Sequence, residues 1–358
     1  MVKQFLAAYS GKKVLITGNT GFKGSWLTLW LKSLGAFVYG YSIDIPTQPS
    51  LYKLAKIKIP MVWGDVADVS KLTRTVKKIK PDIIFHLAAQ PLVRASYRNP
   101  FATHRTNVMG SAAVLEAARL CQTLRAVVMI TTDKVYENQE RNQAFKETDP
   151  LGGYDPYSAS KAAAEILIAS YRSAYFNPAF YGSKHHTLVA SLRAGNVIGG
   201  GDFAEDRLIP DCFRAFAAGE PVLIRNPKSV RPWQHVLEPL AGYLQLSERL
   251  LSGETAFAGP WNFGPEEQDT QSVSWVVKCL VEKWGQAAAF EIDKGEHPHE
   301  ASYLRLDITK AKQQLRWKPR WNSETALTKV VDFYKAWQAK QDIEEFCLRQ
   351  IKEYSEVF

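Results

Sequence analysis

Residues 14–35 read VLITGNTGFKGSWLTLWLKSLG, and the order of elements in this stretch decides the fold. VLITG at 14–18 is a short, unbroken apolar run of the kind a strand shows when both of its faces are buried. From Ser25 to Leu34 the apolar residues Leu27, Trp30, Leu31 and Leu34 recur at helical spacing, and Gly35 stops the helix. Between strand and helix stand Gly18, Gly21 and Gly24. Without β-carbons the chain can approach a pyrophosphate closely there, and the first N–H groups of the helix can bind its charge. The spacing G-x-x-G-x-x-G departs from the G-x-G-x-x-G of ordinary dinucleotide folds, so the strand-to-helix position carries the reading.

FVYGYSI at 37–43 is the next strand, and Asp44 ends it, 20 residues beyond Gly24. A carboxylate at that distance suits acceptance of both ribose hydroxyls of NAD and would repel the 2′-phosphate of NADP. A turn residue before Pro46 is the competing account of Asp44. Asp65, in WGDVAD, has two readings as well: an acceptor for the adenine amino group, or a helix cap.

Further out, strands are expected at 82–87, 126–131 and 187–193, separated by helical stretches near 68–79, 100–120 and 156–176. This alternation predicts parallel βαβ units and therefore a doubly wound α/β Rossmann sheet. After about residue 195, Pro, Gly, Trp and Arg crowd into GNVIGGGDFAEDRLIPD and IRNPKSVRPWQHV. The expected organisation is a dinucleotide-binding domain over 1–194 and a smaller α/β substrate lobe over 195–358. That second part is discontinuous, because a helix near 235–251 returns to the first domain.

The bulk properties narrow the partners. With 358 residues, 46% of them hydrophobic, the chain can bury a substantial core. The formal net charge of +9 suits an anionic ligand, yet Lys and Arg are scattered among acids, so neither a nucleic-acid nor a membrane surface is expected. Cys121, Cys212, Cys279 and Cys347 form no Cys-x-x-Cys pair, which indicates reduced thiols without a zinc site or a disulfide framework. No signal peptide and no run of 18 apolar residues is present, so a cytoplasmic protein is expected.

The chemistry is expected from Tyr157 and Lys161, four residues apart on one predicted helix (PYSASKAAAEILIAS) and able to share a face. An ammonium beside a phenol stabilises phenolate and lowers its pKa toward the working pH, which makes the tyrosine a usable base. An exposed Tyr and Lys on an ordinary helix is the alternative. Against it stands position: the pair follows Thr131-Thr132-Asp133-Lys134, at the C-terminal end of a predicted strand, where open α/β sheets place ligands.

TGNTGFKG, HLAAQPLV, the threonines after MI and the Y-x-x-x-K pair together resemble the extended short-chain dehydrogenase/reductases. Longer segments, among them GNTGFKGSWL, AAQPLVRASY, TTDKVYEN, RAGNVIGGGDFAEDRLIPD, RPWQHVLEPL and HPHEASYL, resemble the nucleotide-sugar 4,6-dehydratases of that superfamily, those acting on CDP-glucose in particular. The resemblance implies oxidation at C4 of the sugar by bound NAD, elimination of water across C5–C6 and return of hydride to C6. Tyr157 would take the proton of the 4-hydroxyl, Thr132 would hydrogen-bond that hydroxyl, and Asp133 would protonate the departing water. Related dTDP-glucose enzymes carry Asp-Glu where this chain has Asp133-Lys134, so Lys134 is either the base for the C5 proton or a cation that stabilises the enolate. The resemblance further implies cofactor contacts from Phe22, Lys23, Val66, Leu87, Ala88, Ala89 and Asn107, substrate contacts from Gln90 and Leu208, and a homodimer.

A nucleotide diphosphate sugar carries about two negative charges, which calls for arginine forks in the substrate lobe. Arg225 and Arg231 are the candidates, with surface ion pairing as the alternative for each; Asn196 and Arg207 are further candidates for sugar or phosphate. Trp233 is placed near the base. His297 and His299, in EHPHE, are expected to order a loop over the substrate, with His299 in contact with it and no metal bound. A nucleotide-sugar 4-epimerase and a catalytically silent NAD-binding sensor are the rival functions; the first has no use for Asp133-Lys134, and the second commonly loses the tyrosine.

Overall fold

The computed structural model describes residues 8–139, 143–285, 288–293, 295 and 304–356. Seven strands form the central sheet: β1 (Lys13–Thr17), β2 (Phe37–Ser42), β3 (Met61–Trp63), β4 (Ile83–His86), β5 (Ala126–Ile130), β6 (Leu188–Ala194) and β7 (Pro260–Phe263). Their spatial order is β7-β6-β5-β4-β1-β2-β3, and every pairing is parallel. The sheet is thus doubly wound, as the alternating pattern predicts, with β1 and β4 side by side where the winding changes direction.

Alternate residues of each strand serve different layers. Val14 and Ile16 of β1, with Ala126, Val128 and Ile130 of β5, belong to one core cluster together with Trp26, Leu27 and Trp30. Leu15, Val127 and Met129 point the other way, into a second cluster with Leu72, Val76, Val114 and Ile168. The first layer is built by helices α1 (Phe22–Ser33) and α6 (Leu237–Leu251), the second by α2 (Val69–Ile79), α3 (Gly110–Arg119) and α4 (Pro156–Ala174). Burial on both faces explains why β1 and β5 read as continuous apolar runs and not as alternating ones. Helix α1 begins at Phe22, three residues before the apolar periodicity becomes visible, because its first turn faces the cleft and needs no apolar stripe.

The stretch expected as one helix over 100–120 is interrupted. A helix at Pro100–His104 passes through a π-helical turn at Arg105–Met109 before α3 begins. Such turns commonly mark functional positions, and this one carries Asn107 beside the cleft.

After residue 195 the chain alternates between building a small lobe and returning to the sheet. The lobe holds α5 (Leu208–Ala218) and three two-stranded pairings, among them Val222–Ile224 with Phe290–Ile292 and Val230–Pro232 with Thr270–Ser272. Strand β7 joins the edge of the central sheet beside β6. Helix α7 (Ser323–Gln338) is followed by α8 (Ile343–Glu356), which returns to α1, with Tyr354 edge-on to Trp30 at 5.8 Å between ring centroids. All four cysteines are free. Among the described residues no helix is long and apolar enough to cross a membrane, and no cluster of His, Cys, Asp and Glu could hold a metal. His297 and His299 lie outside the described residues.

Candidate active site

A cleft of about 900 Å³ opens over the C-terminal ends of β1, β4 and β5, between the sheet and the small lobe. Its floor at β1 is made of backbone. Gly18 has φ +72°, and a β-carbon there would stand 2.6 Å from the Ala88 nitrogen; one on Gly24 would stand 2.2 Å from the Gly18 carbonyl oxygen. Both distances are shorter than real side chains allow, so these two glycines are fixed by packing. Gly21 is the residue before α1, and no side chain caps the helix there, which leaves the first-turn N–H groups of Phe22, Lys23 and Gly24 directed to the cleft. The cradle fits a dinucleotide pyrophosphate on geometry alone.

Asp44 lines the cleft at the end of β2, and its backbone carbonyl accepts a 2.7 Å bond from the Thr20 hydroxyl. Among the described residues its carboxylate has no hydrogen bond or ion pair, which suits a ligand-facing role. Asp65 also lines the cleft, but Oδ1 accepts from the Ala67 N–H at 2.8 Å and Oδ2 pairs with Arg105 at 2.7 Å. The helix cap is Asp68 instead. Val66, Leu87, Ala88 and Ala89 complete this wall.

Two of the expected contact residues stand behind the cleft wall. Asn107 is buried below the cleft wall, where its amide accepts from Gln90 N at 2.8 Å and donates to Gln90 O at 3.1 Å and Ser160 Oγ at 2.8 Å. Gln90 in turn bonds Leu92 and Thr103 through its side chain. Neither residue lines the cleft. Both amides are engaged in shaping the loop after β4, and the two residues stand behind the cleft wall.

At the end of β5 the cleft is made of side chains. Thr132, Asp133 and Lys134 follow the strand directly, while Tyr157 and Lys161 project from the first turns of α4; all five line the cleft. Helix α4 starts at this point because Asp155 caps it, accepting from Ser158 N at 3.0 Å, with Pro156 at its first position. The Tyr157 N–H donates to Ser96 Oγ at 3.1 Å, which ties the helix start to the loop after β4.

Burial governs the proton affinities here. It pushes the Tyr157 phenol up to about 12, against the opposing effects of the Thr132 hydroxyl and the Arg207 guanidinium. Burial likewise lowers Lys161 to about 8, with Glu165 opposing, and its ammonium donates to the Ile130 carbonyl at 3.2 Å. The net effect on the phenol is thus upward, opposite to the lowering expected from Lys161. Desolvation outweighs it, and the ammonium is turned to the end of β5.

Asp133 is the most unusual group. It is 2% exposed; Oδ1 accepts from the Thr132 hydroxyl at 2.9 Å, and Oδ2 has no hydrogen-bond partner among the described residues. Burial raises its pKa, while Lys134, Thr132, Arg231 and Lys23 pull it back. Beneath, a buried network fixes the floor: Glu165 accepts from Arg193 at 2.9 Å, from Thr131 at 2.5 Å and from Ser191 at 2.7 Å.

On the small-lobe side Asn196, Arg207, Leu208, Arg225, Arg231 and Trp233 all line the cleft. Arg231 is 6% exposed, which removes the surface-pair account of it. Arg207 pairs with Asp202 at 2.9 Å and Arg225 with Asp206 at 3.6 Å, so Arg225 is ion-paired, but within the cleft. The Trp233 indole donates to the Gln271 carbonyl at 2.9 Å.

Residues 15–330 match the family model described as GDP-mannose 4,6 dehydratase. The chain belongs to this dehydratase family. It is 48% identical to the CDP-glucose 4,6-dehydratase of Salmonella typhimurium over 97% of each chain, and 29% identical to the dTDP-glucose 4,6-dehydratase of Xanthomonas campestris over 89% and 92% of the two chains. An epimerase structure from Methanothermobacter thermautotrophicus superposes with a TM-score of 0.79 at 24% identity, covering 95% of this chain and 97% of the other. The dTDP-glucose 4,6-dehydratase of Bacillus anthracis, solved with NAD, gives 0.74 at 22% identity, covering 93% and 100%. These two share the fold.

Within this dehydratase family member several cleft residues were not foreseen from sequence. Arg94 follows β4 in the short helix Val93–Arg98, and Asp202 and Asp206 lie in the loop before α5. The rule that ligands gather at strand C-termini points to Arg94, since it stands eight residues past the end of β4. The acidic partners carry no local signal, because their pairing is set by the lobe packing against the sheet.

Proposed function

We propose that the protein is a CDP-glucose 4,6-dehydratase, converting CDP-D-glucose to CDP-4-keto-6-deoxy-D-glucose and water with NAD as a recycled cofactor. The observation that carries the dehydratase reading is Asp133: a buried carboxyl, raised in pKa, with one oxygen unpartnered and Lys134 beside it. Simple 4-epimerisation gives such an acid nothing to do. The 48% identity to the Salmonella enzyme supports the choice of CDP-glucose.

Gly18, Gly21 and Gly24 with the start of α1 would hold the cofactor's pyrophosphate, and Asp44 its adenine ribose, which excludes a 2′-phosphate. Bound NAD supplies a hydride acceptor at C4 and a hydride donor at C6. Tyr157 takes the proton of the C4 hydroxyl as its phenolate, the form that the Thr132 hydroxyl and the cations Arg207 and Lys161 favour against burial. The 4-ketone so formed acidifies the C5 proton. In our reading Lys134 removes that proton or steadies the enolate, while Asp133 gives its proton to the C6 hydroxyl as it leaves as water. A raised carboxyl pKa suits this donor role, since the acid must carry its proton until the C–O bond breaks. Reduction at C6, return of a proton to C5 from Lys134 or water, and passage of the Tyr157 proton to Asp133, between which the Thr132 hydroxyl stands, complete the turnover with no net redox change.

Arg207, Arg225 and Arg231 are placed to hold the diphosphate, and Asn196 and Leu208 to contact the sugar nucleotide. Phe101, Met109 and Ile166 are 78%, 57% and 59% exposed, and lie on the adjoining segments Pro100–His104, Arg105–Met109 and α4. We assign this apolar face to a second copy of the chain, giving a homodimer that sedimentation would read as twice 40.3 kDa. Four free cysteines accord with a cytoplasmic, reducing compartment.

The deciding experiment incubates the protein and NAD with CDP-, dTDP-, GDP- and UDP-glucose and follows product mass. Loss of one water from CDP-glucose, at a kcat/KM well above the other three, is expected. An isomer of unchanged mass identifies an epimerase, and no turnover of any substrate with NAD still bound identifies a sensor.

A further inference from the structure

One carboxylate in the cleft lies against two guanidinium groups. Asp206 Oδ1 accepts a hydrogen bond from Arg94 Nη1 at 3.2 Å and forms an ion pair with Arg225 Nη1 at 3.6 Å. The two arginines come from opposite walls: Arg94 from the sheet side, after β4, and Arg225 from the end of the strand Val222–Ile224 in the small lobe. Their side chains are 32% and 24% exposed, and that of Asp206 is 30% exposed. Solvent, and hence a ligand, therefore reaches all three.

Asp206 is not tied down for another purpose. It stands one residue before the N-cap position of α5, which Arg207 occupies, and no side chain caps α5. Its φ of +59° is left-handed, a region that favours glycine over residues with a β-carbon. The neighbouring acids are engaged elsewhere: Asp202 pairs with Arg207, and Asp211 with Arg214. Asp206 is thus the carboxylate bonded to both forks, with Asp211 near enough to act on Arg225, and two arginine forks suit the oxygens of a diphosphate better than one carboxylate oxygen.

We propose that Asp206 is a built-in stand-in for the substrate's diphosphate, and that Arg94, with Arg225, is a phosphate-binding residue of this cleft. The inference rests on the reading of the cleft as a nucleotide-diphosphate site. Substrate entry exchanges one anion for another: the diphosphate takes the two guanidinium groups, and the Asp206 carboxylate moves to water. In the empty enzyme Asp206 keeps two like charges from repelling each other across the cleft, at the expense of substrate affinity.

The test is isothermal titration of the full-length protein with CDP, and with inorganic pyrophosphate as a probe independent of the base. Asp206→Asn removes the charge, and Asp206→Gly removes it in a residue that accepts the left-handed backbone without strain. Both should tighten binding of both probes by about three- to tenfold, the scale of losing one partly exposed competing ion pair. Arg94→Gln should weaken binding, and the double variant with Asp206→Asn should lose the gain. Unchanged or weaker binding in both Asp206 variants at wild-type thermal stability overturns the proposal, since Asp206 is then a structural tie between the walls. Failure of pyrophosphate to bind even Asp206→Gly overturns it too. A wild type that fails to turn over CDP-glucose counts against the substrate assignment alone, because the pyrophosphate titrations still decide the role of Asp206.

Discussion

At the β1 end of the cleft the ligand surface is backbone, with Gly18 and Gly24 packed so closely that a β-carbon would overlap main-chain atoms. At the β5 end it is side chains, where Thr132, Asp133, Lys134, Tyr157 and Lys161 face the same space. The backbone end offers N–H groups and shape, which serve any dinucleotide pyrophosphate. The side-chain end offers protons and charge, which must match one reaction. The first end therefore identifies a large class of folds, and the second separates a dehydratase from an epimerase on the same scaffold.

This contrast can be broken by substitutions that should affect one end only. Tyr157→Phe removes the proposed proton acceptor at C4 and should lower kcat by about 10²–10⁴-fold, the usual scale for a general base, while NAD affinity stays within a few-fold. A comparable loss of NAD binding would mean that the two ends are not separable. Lys134→Met should keep NAD binding and oxidation at C4 but lose elimination, with a decline on the order of 10²-fold. Exchange of deuterium at C5 at the wild-type rate would remove Lys134 from the role of base.

The reverse experiment is Gly18→Ala. The added methyl meets the Ala88 nitrogen in a left-handed backbone, so NAD affinity should drop about tenfold or more, with kcat at saturating NAD nearly kept. Cofactor fluorescence titration beside single-turnover kinetics separates the two quantities.

A third region, remote from both ends, sharpens the comparison with a pure stability effect. Glu238 of α6 is fully buried and accepts from Trp321 N at 2.7 Å and from the Tyr354 hydroxyl at 2.7 Å, anchoring α8. Burial raises its pKa from 4.5 to about 7. Between these values the folded state holds a proton that the unfolded state has lost, so stability falls as pH rises through the window. Relative to Glu238→Gln, the wild type should lose up to about 1.4 kcal/mol per pH unit there, read by denaturant titration. A pH-independent difference would show that Glu238 is ionised throughout.

How much of this can be read from sequence depends on the range of the interactions involved. The β1–glycine–α1 unit is local and appears in one quotation of residues 14–35. Thr132 to Lys134 and Tyr157 with Lys161 are found by their position after predicted elements, because a parallel sheet delivers its strand ends to one edge. Strand β7 is four residues, PWNF, without a run long enough to signal a strand, and only pairing with β6 makes it one. Asn107 and Gln90 have the right side chains near the right loop, but their bonding to each other and to that loop has no local signal. The phenol of Tyr157 shows a further limit: spacing brings Lys161 near, but burial, which spacing does not report, decides the proton affinity. Asp206 with Arg94 and Arg225 is longer in range still, since residues 112 and 19 positions apart meet only after the lobe has packed.

The central claim, that the side-chain end performs an internal transfer of hydride with loss of water, is tested most directly by CDP-glucose carrying deuterium at C4. The account predicts a 4-keto-6-deoxy product, one water lighter, with the deuterium at C6 after turnover with catalytic NAD. Deuterium retained at C4 in an isomer of unchanged mass, or a product that gains none at C6, would contradict it.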